Sequence, residues 1–298
     1  MNRKWIVAVI GVAVLGLASV VAAASSASAA GGPPSIAAGP AFGFVPSQNA
    51  NHAGRNAGRV LNLLWHNGPV MHSTTIVPVF WGTSWSNSSF KGDKQSGLDT
   101  LYSGIGGTPY LLTNSEYTDA SGNVNTAAVT KASDLSDSTA TSGTPTTAQV
   151  LAEVAKVTNN NPTPGAYYPV YSDTPRGSAG YCAWHSSGTI NGIQVEFGFF
   201  FNLDGDSGCD PVDTGGVHSQ GLAALANVSG HELSEMVTDP QLNAWYDQKG
   251  AENSDKCAWT FSGTVRIGKE DWKIQGNWSN AAANAHTGYA NVGCIQTS

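Results

Sequence analysis

Charge is scarce in this chain. Only 12% of its 298 residues are Asp, Glu, Lys or Arg, and 21 acidic residues outnumber 14 basic ones. The basic residues form no cluster, which argues against nucleic acid or an anionic membrane surface as partner. Cysteine is sparse as well. The whole set is Cys182, Cys209, Cys257 and Cys294, and no two have the spacing of a metal knuckle. A Gly-x-Ser-x-Gly elbow is missing, which sets aside one common route to a serine nucleophile. No internal repeat is visible.

The first residues carry an export pattern. Arg3 and Lys4 precede an apolar core from Trp5 to Val21, and Ala27-Ser28-Ala29 is a small-x-small cleavage site. The stretch is short for a permanent membrane anchor, so residues 1–29 are expected to be a signal peptide and the protein to be secreted. Its loss would leave 269 residues with 12 basic and 21 acidic groups, a net charge of about −9. Export also gives the cysteines a role, because an even number outside the cell argues for disulfides. Three pairings are possible, and proximity favours Cys182–Cys209 with Cys257–Cys294.

Residues 30–59, rich in Gly, Ala, Pro and Asn, read as a flexible lead-in, with one α+β domain over 60–298. Strands are expected at Thr74–Gly82, interrupted by Pro78, at Tyr110–Thr118, at Tyr167–Tyr171 and at Ile193–Phe201. Helices are expected within Phe90–Tyr102, over Thr147–Val157 and over Leu222–Val237. Ala128–Thr146 reads as a surface loop, and short strands are expected near Thr264–Ile267 and Trp272–Ile274. The order suits a mixed β-sheet packed against helices on one side.

The chemistry concentrates in His231-Glu232-Leu233-Ser234-Glu235, at the end of the long small-residue helix. On a helix His231 and Glu235 lie one turn apart on one face. A His and a carboxylate so placed can hold zinc, with Glu232 beside the ion as general base. The usual zinc-peptidase signature has His where this chain has Glu235. Glu252 and Asp255 are the preferred third ligands, beyond a turn at Asp247-Gln248-Lys249-Gly250. Asp239, Asp247, His185 and His218 are alternatives. The plain structural alternative is that these groups pair with one another or with Arg266. Asn202–Asp210 alternates oxygen-bearing side chains as a calcium loop does, or is an acidic surface turn. Asn87, Asn227 and Asn277 lie in glycosylation triplets.

Several segments together resemble the EXORDIUM-like (phosphate-induced protein) family of secreted proteins. Leu64–Val70 followed by Ile76–Gly82 looks like that family's opening. Tyr181-Cys182-Ala183-Trp184-His185 is similar to its Cys-Ala-Trp segment, and Leu222–Tyr246 to its small-residue helix with Thr-x-Pro and Asn-x-aromatic. Cys257 and Tyr289-Ala290 follow in order. The resemblance implies secretion, a shared fold and a place at the cell wall in growth signalling, with no established reaction. Two functions follow as expectations. One is a zincin-like zinc hydrolase acting on peptides. The other is a non-catalytic cell-wall binding protein whose Trp245, Trp272 and Trp278 stack on polysaccharide.

Overall fold

A computed structural model describes residues 34–48, 61–141, 143–290 and 292–298. The expected signal peptide lies outside these residues. Among them a nine-stranded mixed sheet holds the centre, which makes the domain α+β. Its strands are β1 (Ile36–Ala38), β2 (Phe42–Pro46), β3 (Thr74–Ile76), β4 (Val79–Trp81), β5 (Val129–Lys131), β6 (Leu135–Asp137), β7 (Ala166–Pro175), β8 (Tyr181–Ile190) and β9 (Ile193–Asn202). Pro78, which has no amide hydrogen to give a ladder, divides β3 from β4.

Two halves of the sheet differ in direction. β7 runs parallel to β9, β3 and β4, and β5 and β6 continue this half in parallel. β8 runs antiparallel to β9, and β1 and β2 lie antiparallel on the other edge of β8. Three helices matter most: α1 (Lys94–Ile105), α2 (Thr147–Val157) and α3 (Gln220–Thr238). The capping box of Thr146 with Gln149 starts α2 where the sequence placed it.

Several expectations require correction. Residues 34–48, read as part of a flexible lead-in, form β1 and β2, because Val45 packs fully into the core despite the small-residue surroundings. Residues 128–146 contribute β5 and β6, short strands covered by neighbours rather than by their own apolar content. Tyr110–Thr118 is not extended: Thr108 caps a helical turn at Pro109–Leu112, a Pro-at-the-first-position signal. The helices cover both sheet faces. His185 of β8 meets Glu232 of α3, while the side-chain position at Gly188 is filled by Leu151 of α2. Residues three apart on a strand point to opposite sides.

α3 is buried along 18 of its 19 residues. Small side chains allow α1 and the sheet to approach closely, and Ser219 caps its first turn through the amide of Leu222. It ends at Asp239, before Pro240. The disulfides are Cys182–Cys209 and Cys257–Cys294, the pairing that proximity favoured. They close separations of 27 and 37 residues, which the chain-entropy relation sets at about 4 kcal/mol each. The first anchors the strand that bears His185. The second anchors the segment that bears Glu252 and Asp255. No described helix is long and apolar enough to cross a membrane.

Candidate metal and proton-transfer site

α3 presents His231, Glu232 and Glu235 toward the interior, all with no solvent exposure. As the spacing requires, His231 and Glu235 meet: Nε2 lies 2.9 Å from Glu235 Oε1, placed as an ion pair rather than an aligned hydrogen bond. The chain returns past the helix after residue 250 and sets Asp255 Oδ1 3.6 Å from the same Nε2. His231, Glu235 and Asp255 thus form one group able to hold an ion.

His185 enters from β8. Its Nδ1 lies 2.8 Å from Glu232 Oε2 and 3.6 Å from Glu235 Oε2. Its Nε2 faces Glu252 Oε2 at 3.7 Å. His185, Glu232 and Glu235 form a second group, sharing Glu235 with the first. Sequence reasoning had His185 only as a remote alternative. Its strand looked polar, and nothing local tells that β8 faces α3. Glu252, a preferred ligand, faces His185 instead of His231.

The other candidates have different work. Asp239 Oδ1 accepts the amides of Asn243 and Ala244, both at 2.6 Å, and shapes the turn after α3. Asp247 accepts the amides of Lys249 and Ala251 and pairs with Lys256. His218 stacks on Trp272 between Asp213 and Glu270. Arg266 pairs with Asp271 at the surface and does not reach the motif. In the acidic turn, Asp204 pairs with Lys94 and Asp206 accepts from Nε and Nη2 of Arg176, so cations already hold these carboxylates. Asn227 and Asn277 are fully buried and closed to glycosylation.

Electrostatics make the cluster expensive without a cation. Burial pushes the carboxyls of Glu232 and Glu252 well above their usual range and Glu235 up to about 7. The His231 charge pulls Glu235 back down in part. Burial, and then the nearby His231, lowers His185 to about 3, so its ring is neutral with a free lone pair. Burial also opposes charge on His231, but Glu235 and Asp255 outweigh it and raise its pKa. Glu232 Oε1, Glu235 Oε2, both Glu252 oxygens and both histidine Nε2 atoms lack hydrogen-bond partners. Buried polar atoms are seldom left so, and these six lie together in one cluster.

Gln275 sets the state of His231. Its amide nitrogen donates to Ser254 O and its oxygen accepts from Trp259 N, which fixes which end is which. The same nitrogen lies 2.9 Å from His231 Nδ1 and can only donate there. A neutral ring therefore keeps its proton on Nε2, toward the carboxylates. An ion at Nε2 has to replace that proton and leave Nδ1–H facing an N–H. The donor set of one imidazole and two carboxylates suits a divalent ion, and Gln275 is the feature that weakens it. Gln275→Glu supplies an acceptor instead, and is expected to tighten metal binding about 10–100-fold, read by competition with a chelating dye. An unchanged affinity would mean that His231 is not a ligand.

Comparisons with protein-family models, curated proteins and solved structures find no match for this chain.

Proposed function

We propose that this is a secreted, metal-dependent hydrolase of zincin-like organisation, within the EXORDIUM-like resemblance. One observation supports this above the others. Unpartnered, fully buried carboxylate and imidazole atoms converge on the motif helix, and among the described residues no Lys or Arg pairs with them. His231, Glu235 and Asp255 would hold the ion, and zinc is the first choice for an N/O donor set. When bound, such an ion polarises a carbonyl and makes a nearby water more acidic.

The chain's own residues divide the remaining work. Glu232 is the proton carrier, accepting a proton at its carboxylate as water adds to a peptide carbonyl carbon. The C–N bond then breaks, and the proton passes to the leaving amine nitrogen. His185 orients Glu232 through its 2.8 Å contact, and Glu252 faces the other side of the ring. The cell-wall binding alternative loses support, because Trp272 and Trp278 are buried and only Trp245 of the three is partly accessible. Those two indoles belong to the same core as Ala283 and Ile274 instead of presenting a face to a sugar.

Metal analysis of the purified mature protein tests the proposal. About one equivalent of a divalent metal per chain is expected, and Glu235→Ala should reduce it more than tenfold. Less than about 0.1 equivalent in the wild type after reconstitution with zinc or manganese would overturn it.

A further inference from the structure

The strand that closes this site is the chain's own. β2 lies antiparallel along the outer edge of β8, the strand that carries His185. Its pairing is irregular. Tyr181 matches Pro46, Ala183 matches Val45 and His185 matches Phe42, with register shifts in both intervals. Between Val45 and Phe42 the strand takes three steps against two on β8, a bulge. Gly43 sits in that bulge with φ +52°, in the left-handed region. A Cβ at Gly43 would overlap His185 Cε1 and Nδ1 and Glu235 Oε2. The backbone of this segment is therefore pressed directly onto the two groups that share Glu235.

The segment is held as a groove holds an extended peptide. Val45 is fully buried, while Phe44 points outward with 41% of its surface exposed and meets Tyr181 edge-on. Trp259, just past Asp255, donates its indole N–H to Pro46 O at 2.6 Å. Main-chain bonds on one edge and alternate side-chain pockets are the physics of strand addition. With this segment in place His185, Glu232, Glu235 and Glu252 have no contact with solvent.

We propose that residues 42–46 occupy a polypeptide-binding groove along β8, so that the substrate class is an extended peptide chain with glycine over the site, and that the enzyme is held closed until this segment leaves. The proposal rests on the hydrolase reading only for what happens after the groove opens. The groove assignment itself needs neither metal nor turnover.

The experiment follows that division. Hydrogen exchange on the mature wild-type protein is expected to show the amides of residues 42–45 opening at least about a hundredfold faster than those of Phe197–Phe201 of β9, as a separate unit. Exchange of both at one common rate would overturn the proposal, since β2 would then be an inseparable part of the core. In the full-length Gly43→Val variant the segment should be displaced. That variant should bind a labelled synthetic peptide of residues 35–48 that the wild type does not take up. The same peptide carrying valine at position 43 should fail to bind. Equal binding of both peptides would overturn the glycine assignment. If Gly43→Val does not fold, the wild-type exchange experiment decides alone. With metal supplied, the peptide-accepting variant should cleave glycine-containing peptides more than tenfold faster than the wild type. Peptide uptake without cleavage would leave the groove assignment standing and overturn the hydrolase reading.

Discussion

Glu232→Gln should leave metal content at the wild-type level and lower hydrolysis of an opened form about 10²–10⁴-fold, the usual loss when a positioned proton carrier is removed. The substitution keeps the size of the side chain but removes its ability to take a proton. Metal should stay because the proposed ligands are His231, Glu235 and Asp255, and Glu232 is not among them. His185 can still donate from Nδ1 to the amide oxygen of the substituted side chain, so the fold should tolerate the change. Metal content by elemental analysis and turnover of a fluorogenic peptide give the two readings. If the variant loses metal as well, Glu232 is a ligand and the division of roles is wrong. His185→Asn should lower turnover but shift its pH optimum too, because His185 acts on Glu232 and not on the substrate.

Removing the metal should destabilise the protein strongly at high pH and weakly at low pH. A ligand present at a thousand times its dissociation constant adds about 4 kcal/mol. For a domain of this size that corresponds to a midpoint change of about 10 °C. The pH dependence follows from the buried carboxyls. Burial raises their folded-state pKa values, to about 7 for Glu235 and well above the usual carboxylate range for Glu232 and Glu252. Below the unfolded value near 4.5 these carboxyls are protonated in both states and cost the metal-free fold nothing. As pH rises from there through about 7, the unfolded chain releases protons that the metal-free fold retains, and stability falls. A divalent ion would take the place of the proton on Glu235, and its charge would favour the ionised form of the neighbouring Glu232 and Glu252. The gap between metal-loaded and chelated melting points should therefore be small near pH 4.5 and largest at about pH 8, measured by scanning calorimetry. A gap independent of pH would mean that these carboxyls do not respond to the ion.

Much of the fold was legible locally. α2 announced itself by apolar residues at helical spacing after a Thr start, and β9 by a run of β-branched and aromatic residues. α3 was read from the small apolar run Leu222–Val237 that ends before Pro240. Long elements with strong periodicity carry their own signal. The elements that were missed carry little: β5, β6 and β1 are three residues each, and their partners, not their composition, make them strands. β8 was missed for a related reason. Its Ser186, Ser187 and Gly188 look like a loop, yet neighbouring strands lie along both of its edges.

The site divides the same way. That His231 and Glu235 would meet was decided by the sequence, because a helix brings i and i+4 together whatever surrounds it. Of the three possible cysteine pairings, the one that proximity favoured is the one formed. Only the tertiary structure could bring His185 to Glu232 across 47 positions of chain, turn Glu252 toward His185, set Gln275 against His231 and lay Gly43 over both groups. Those contacts depend on which face of a strand meets which face of a helix. Sheet order and side-chain packing settle that choice, and no short stretch of sequence encodes either.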